Sequence, residues 1–376
     1  MKVRLLLLYF GIGVLGSAPA RAQAPAPPRY CNLVMEGGGI RGIAYGGALL
    51  ELEQRGVLAG LRRVGGTSAG AIQAALLAVG YSAQEIIDVV NATPVQRLND
   101  GRFIFFGGTH RLVKEYGWYR GDEFSTYLGE LVARKTRNAH LTLGELHALA
   151  QKEPTRFRDL YTTGTNLTTQ RVQVFSHETT PTMRVADAVR ISMSIPLYFR
   201  AVLLDAENKV ITGTPAPGQP VQVLVDGGLL ANYPISLFDH PRYRPAGTQE
   251  GAATISGATN KIVAPEIVAA LAGPGGIFNP ETLGLRLDRA EQIPLDGAPA
   301  GRRQLAPYDI TDFNTYMGAL YTVALENLNP VQPADWQRTI SIDFLNFSPK
   351  IKRISDAQKK QLMDSGRKGA QAFFNK

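Results

Sequence analysis

The sequence predicts an α/β fold with a mostly parallel sheet flanked by helices, on three observations. The apolar run from Cys31 to Met35 breaks into glycines and continues with helix-spaced apolar residues, and the same strand, glycine turn and helix recur at "LRRV", "GGTSAG" and Ala69 to Val79. The chain has 376 residues, 44% of them hydrophobic, enough for one large core between such layers. No internal repeat or clean linker divides it, so one domain is expected.

The first residues stand outside that core. Lys2 and Arg4 precede an apolar stretch from Leu5 to Leu15, and "GSAPARAQA" follows with small residues at Ala20 and Ala22, the anatomy of a secretory signal peptide. The stretch falls short of the ~20 apolar residues that a membrane span needs, and no later run is long and uncharged enough to supply one. The expected organisation is therefore a signal peptide at 1–22, a proline-rich leader at 23–30 and one domain at 31–376, exported to the periplasm or secreted. Cys31 is the single cysteine, which excludes an internal disulfide, and "PPRYCN" lacks the small residues that precede a lipidated cysteine. Packing in the first strand is its expected role. The formal charge of +8 falls to +5 without Lys2, Arg4 and Arg21, and the basic residues are dispersed without aromatic interleaving. That excludes a nucleic-acid footprint and leaves a mild attraction to anionic lipid headgroups, hence a peripheral membrane-surface contact.

Within the domain, Ile43, Gly47 and Leu50 share a helix face that Gly56 caps, and Gly80 stops the helix after "GGTSAG". Ser82 with Glu85, Thr142 with Glu145 and Ser355 with Gln358 have capping-box spacing, each at the head of a helix. Strands are expected at "YTTGTNL", "RVQVFS", "VQVLVDGG" and "RTISIDF", with a short helix around Val185 to Ile191 and another through "YMGALYTVALENL". Two segments rich in Gly, Pro, Ala and Thr, "DAENKVITGTPAPGQP" and "RPAGTQEGAATISGATN", read as loops.

Two chemistries compete for the first glycines. Gly37, Gly39 and Gly42 fit the dinucleotide pattern G-x-G-x-x-G, but the second strand lacks an acidic residue at its carboxyl end to grip a ribose. That end carries Gly66, Ser68 and Gly70 in the order G-x-S-x-G between strand and helix, the context of a nucleophile elbow. Side chains at the outer positions would clash across so sharp a turn. The helix behind Ser68 favours negative charge, with the Ala69 N–H aimed at a tetrahedral intermediate. The simpler reading is a glycine-rich turn with a solvated serine. Histidines stand at 110, 140, 147, 177 and 240, none in a catalytic motif. Asp226, ending the "VLVD" run with Gly227 and Gly228 giving backbone room, is the candidate base; the alternative is an Asp-Gly hairpin turn.

In order and spacing, "EGGGIRG", "GTSAG" and "DGG", with "GTNLTTQRVQVFS" and "ISMSIPLYF" between the last two, resemble the patatin-like phospholipase family. The resemblance runs from about Asn32 to "GLRLD", and "ISDAQKKQLMDSG" is similar to the family's closing helix. It implies a three-layer α/β/α patatin-like fold, and a Ser-Asp dyad that cleaves acyl esters of a lipid or phospholipid without cofactor or metal. On that mapping Ser68 is the nucleophile and Asp226 the base. Gly37, Gly38 and Gly39 with Ala69 form the oxyanion hole. Arg41 and Gly42 complete the loop motif, as Gly66 and Gly70 complete the elbow. The usual "DGA" is here "DGG", a change after the aspartate.

Three alternatives stand beside it: a Ser-Asp-His triad esterase using His240, a lipid-binding protein of the same fold without turnover, and a nucleotide-binding protein. From the N-terminal anatomy, we expect intact mass of the native exported protein to place its first residue near Gln23. Recovery of a fully active form retaining Met1 would contradict this.

Overall fold

A four-residue strand buried on both faces can satisfy its backbone N–H and C=O groups only by pairing on both edges, and the short apolar runs of this chain do so side by side. The computed structural model describes residues 30–93, 100, 111–244, 271, 276–296, 305–312, 315–316, 319–320, 322–323, 333–348 and 353–375. The strands are β1 (Asn32–Met35), β2 (Arg63–Gly66), β3 (Gly117–Tyr119), β4 (Asp159–Asn166), β5 (Arg171–Phe175), β6 (Leu197–Phe199), β7 (Val202–Leu204), β8 (Gln222–Asp226), β9 (Thr282–Asp288) and β10 (Thr339–Asp343). The main sheet runs β10-β9-β1-β2-β4-β8-β7; its first five strands are mutually parallel, β8 runs antiparallel to β4 and β7 antiparallel to β8, and β5 also pairs antiparallel with β4. β3 and β6 form a separate parallel pair.

The helices are α1 (Ala44–Gln54), α2 (Val57–Gly60), α3 (Ala69–Ala78), α4 (Ala83–Ala92), α5 (Asp122–Thr136), α6 (Leu143–Lys152), α7 (Val185–Ser192), α8 (Gly228–Ala231), α9 (Ile293–Asp296) and α10 (Asp356–Phe374). All three expected capping boxes are formed, at Ser82, Thr142 and Ser355, and Gly56 ends α1 in the left-handed region at φ 75°. The alternation of side chains along the strands splits the core in two. Leu33 and Met35 of β1 and Leu160 of β4 join the large cluster with α1 and α3. Val34 and Tyr161 face the other way, onto Tyr233, Ile235, Leu237 and Phe238. The sheet is therefore the middle of three layers, as the resemblance implies.

The second strand begins later than expected and runs into the glycines. Gly65 and Gly66 can belong to it because a Cβ would stand 3.1 Å from Tyr161 O at Gly65 and 2.6 Å from Met35 O at Gly66. The loop at 205–220 is largely irregular, with one bridge from Leu204 to Val210. The signal segment at 1–22, leader residues 23–29, loop residues 245–260 and most of the expected helix at 316–328 lie outside the described residues. Among the described residues no helix is long and apolar enough to cross a membrane.

α10 closes the fold by lying on α1 with backbone against backbone. A Cβ at Gly47 would collide with Met363 O, and one at Gly366 with Ala44 O. Neither neighbour is a side-chain tip that can swing away. We therefore expect Gly47→Val and Gly366→Leu each to destabilise the protein by about 3 kcal/mol or more in urea unfolding. Gly56→Ala, with open space around its Cβ and only the left-handed φ against it, should cost about 1 kcal/mol.

Candidate active site

The turn after β2 is tight enough to invert the backbone at one residue. Ser68 has φ 52° and ψ −118°, a conformation that a non-glycine residue holds only under strong local constraint. The constraints are visible on both sides. Thr67 N–H donates to Met35 O at 3.2 Å and Gly70 N–H to Thr67 O at 2.8 Å. The Thr67 hydroxyl donates to Ala231 O at 2.6 Å and lies 2.6 Å from the Thr163 hydroxyl. Gly66 and Gly70 both press on the end of β1, where a Cβ at either would strike Met35 O. Ser68 N–H donates to Ser192 Oγ at 3.1 Å, and α3 begins at the next residue.

Asp226 arrives from an antiparallel strand. β2 ends with Gly66 opposite Thr162 of β4, and β8 ends with Asp226 opposite Gly164, so the two strand ends meet over two residues of β4. The Ser68 hydroxyl lies beside the Asp226 carboxyl and favours its charged form. Gly228 N–H donates to Asp226 Oδ1 at 2.7 Å, and Asp226 N–H to Ser194 O at 2.9 Å. Burial pushes the Asp226 carboxyl up to about 7, against the downward pull of the Gly228 N–H and the Ser68 hydroxyl. Gly227 is sterically required, since a Cβ there would meet the Thr163 backbone, whereas one at Gly228 would press only on the side chains of Asn232 and Asp226, as the family's usual alanine does.

The first glycine loop lies against the elbow, with the Cβ position of Gly37 3.3 Å from Ser68 Cβ. One expectation needs correction. Gly37 N–H donates to Asn232 O at 3.0 Å, so it is committed to the backbone and cannot serve an oxyanion. The N–H groups of Gly38, Gly39 and Ala69 have no hydrogen-bond partner among the described residues. Gly39 is held at φ 56°, which turns the chain into the short 3-10 turn Gly39–Ile43 ahead of α1. Gly42 leaves room for α3, since its Cβ would stand 2.8 Å from Ala69 Cβ. Arg41 does not face Ser68: its Nε donates to Phe347 O at 2.6 Å and its guanidinium lies 3.8 Å over the Phe344 ring, tying the loop to the chain after β10.

Sequence reasoning missed the residues that hold this loop. Asn232 donates from Nδ2 to Glu36 Oε1 at 3.1 Å and to Gly37 O at 3.2 Å, and Glu36 Oε2 accepts Leu287 N–H at 2.7 Å. The available signals were the glutamate immediately before the glycines and the asparagine six residues after Asp226. Ser192 and Ser194 stand in the quoted "ISMSIPLYF", and Arg190 just before it bonds the Ser194 hydroxyl and the carbonyls of Gly121, Arg120 and Arg200. A cavity of about 160 Å³ opens beside Gly39 and Ala69, walled by Ile43, Ile72, Leu76, Phe124, Leu128 and Phe199.

His240 is elsewhere. Its Nδ1 accepts Arg242 N–H at 3.2 Å, and its neighbour Asp239 is bound to Arg338 and to Asn279, just ahead of β10 and β9 respectively. That is the amino end of the parallel strands, whereas Ser68 and Asp226 sit at carboxyl ends of theirs.

Because burial raises the folded-state pKa of Asp226, its contribution to stability is full below the ordinary carboxylate range and is lost as pH rises through about 7. Between about pH 4 and 7 the loss approaches ~1.4 kcal/mol per pH unit. Asp226→Asn cannot ionise, so its Tm relative to the natural protein should be higher at pH 8 than at pH 5. An equal difference at the two pH values would contradict the buried, raised carboxyl.

The family model described as patatin-like phospholipase matches residues 33–239. The uncharacterized protein YqhO of Bacillus subtilis strain 168 is 36% identical over 223 residues, which are 57% of this chain and 69% of YqhO. The probable lipid hydrolase 463L of invertebrate iridescent virus 6 is 24% identical over 212 residues, 56% of this chain and 64% of that protein. Among solved structures, VipD from Legionella pneumophila aligns with a TM-score of 0.56 at 16% identity, covering 93% of this chain and 67% of VipD, a likeness that shows the fold alone. Since the family match spans more than half of the sequence and takes in β1, the serine elbow and Asp226 alike, this chain belongs to the patatin-like phospholipase family.

Proposed function

We propose that this protein is a serine lipid acyl hydrolase of the phospholipase A or esterase type, working through Ser68 and Asp226. The single observation that carries the reading is the juxtaposition of Ser68, at a strained elbow beside an apolar cavity, with a buried carboxyl that burial pushes up to about 7. A base poised near 7 accepts a proton without holding it too tightly to return it. Ser68 Oγ attacks the acyl carbonyl as its proton passes to Asp226. The oxyanion then forms against the N–H groups of Gly38, Gly39 and Ala69, at the positive end of α3, each donor contributing ~3 kcal/mol to the transition state. Protonated Asp226 supplies the proton to the leaving alcohol. It next takes a proton from a water whose oxygen attacks the acyl carbonyl, and returns that proton to Ser68 Oγ as the Oγ–acyl bond breaks and the fatty acid leaves. The acyl chain would lie in the cavity beside Ala69.

The large hydrophobic residues Val113, Tyr116 and Leu197 are 71%, 55% and 69% exposed, and Tyr116 and Leu197 flank the paired starts of β3 and β6. Leu197 lies two residues before Phe199, a wall of the cavity, so this patch is placed to rest on a lipid surface while a chain enters. Export through the 1–22 signal would bring the enzyme to lipids outside the cytoplasm.

Hydrolysis of short-chain esters and of phospholipid vesicles tests the reading. Ser68→Ala and Asp226→Asn should each lower kcat by ~10³-fold or more, and kcat/KM of the natural protein should rise with pH through about 7 as Asp226 ionises. His240→Ala should retain activity. Loss of activity in a folded His240→Ala would favour the triad, and lipid binding without turnover by the natural protein would favour the non-catalytic alternative.

A further inference from the structure

Away from Ser68, three side chains from separate elements converge on one point. Asp159 opens β4, His147 lies on α6 and His177 follows β5 by two residues. His147 Nδ1 stands 2.8 Å from Asp159 Oδ1 and His177 Nδ1 3.7 Å from the same oxygen. One ligand atom from each residue lies within 4.8 Å of the others. His177 Nδ1 is buried and has no hydrogen-bond partner among the described residues. Burial also holds the His177 ring below the ordinary histidine value, despite the upward pull of Asp159 and Glu178 and with the downward pull of His147 and Arg63. In the register of the sheet, Asp159 pairs with Arg63 at the start of β2, so the cluster sits at the end of the sheet opposite the serine elbow.

We propose that His147, Asp159 and His177 form a binding site for one divalent transition-metal ion of the zinc class, which ties α6 and the chain after β5 to the first residue of β4. Two imidazole nitrogens and one carboxylate oxygen suit Zn²⁺, Co²⁺ or Ni²⁺ and are a poor match for Ca²⁺ or Mg²⁺, which take oxygen ligands. Binding displaces any proton shared between His147 and Asp159, leaving both rings neutral and the carboxylate charged. It also opens the ring stack. The two imidazoles lie 3.8 Å apart at 8°, and both can direct lone pairs at one ion only when a ring turns. His147, 34% exposed, is the ring with room to turn once its bond to Asp159 is exchanged for the ion. The ion is structural in this assignment and takes no part at Ser68.

The test uses tag-free protein stripped with a chelator and titrated with Zn²⁺ or Co²⁺. One equivalent should bind, Tm should rise, and Co²⁺ should give the visible absorption of nitrogen and oxygen ligation. All three signs should be lost in His177→Phe, which keeps an aromatic ring in the stack, and in Asp159→Asn, while Ser68→Ala should bind the ion as the natural protein does. If His177→Phe does not fold by circular dichroism, His147→Gln on the helix surface replaces it. Absence of uptake by the natural protein at micromolar metal overturns the proposal, as does undiminished uptake by the folded variants, which would put the ion elsewhere.

Discussion

The contact on which the site depends is between two stretches of backbone, the end of β1 and the turn that carries Ser68. Met35 O accepts Thr67 N–H and stands where any Cβ at Gly66 or Gly70 would go. With both outer positions of the elbow reduced to glycine, the serine between them is forced to φ 52° and α3 can start without an intervening loop. The same end of β1 leads directly into Glu36 and the first glycines. One close approach thus positions Ser68, the N–H groups beside it that have no partner among the described residues, and the positive end of a helix, with no long flexible side chain needed to bring them together.

Electrostatics divide the buried acids into two kinds. Asp239 is grasped by both terminal nitrogens of Arg338 at 2.6 and 2.7 Å, and Asp335 lies 2.6 Å from the same guanidinium. These charges are paired and anchor the start of β10. Glu36 lies 3.8 Å from buried Arg286 and holds Asn232 and Leu287 N–H. Burial pushes both Asp239 and Asp226 upward, but at Asp239 the Arg338 guanidinium opposes it, whereas Asp226 has the Ser68 hydroxyl and the Gly228 N–H beside it among the described residues and its pKa climbs to about 7. A carboxylate locked in an ion pair is a weak base, while one buried with two neutral donors is held in a state that chemistry can use. The cost is borne by the fold, as the pH dependence of stability described above.

Much of this was legible in the residues. Period-two and helix-period patterns gave the sheet and its flanking helices, the capping boxes formed where their spacing placed them, and the motif spacing brought Ser68 and Asp226 together. What could not be read were interactions between parts distant in the chain. The commitment of Gly37 N–H to Asn232, the support of Ser68 N–H by Ser192, and the turn of Arg41 away from the serine each depend on residues far apart in sequence. The spacing places β2 two residues too early because glycines are poor strand formers in isolation; Gly65 and Gly66 belong to the strand through their pairing with β1 and β4, and the close approach of Tyr161 and Met35 leaves room there for no side chain. His147, Asp159 and His177 escaped notice for the same reason, carrying no motif and meeting only when β4, β5 and α6 pack.

The sheet separates these tasks along its strands. At the carboxyl ends of β1 and β2 the chain turns sharply, leaves N–H groups unpaired and keeps an acid poised, all of which lower stability. At the amino ends it does the reverse: Arg338 ties Asp239 to Asp335, Arg158 donates to the carbonyls of Leu58 and Leu77, and two stacked histidines share Asp159. The strands joining the two ends are four to eight residues long, so strain introduced at the elbow is opposed within a few residues by buried polar bonds at the far end. Proteins that place reactive groups at strand ends need that opposition, because the elbow relaxes as soon as β1 or β2 is free to slide. Buried ion pairs of this kind are weak evidence of stability in themselves, so what the Arg338 pairs with Asp239 and Asp335 show is a fixed placement of the start of β10 against the loop that follows α8.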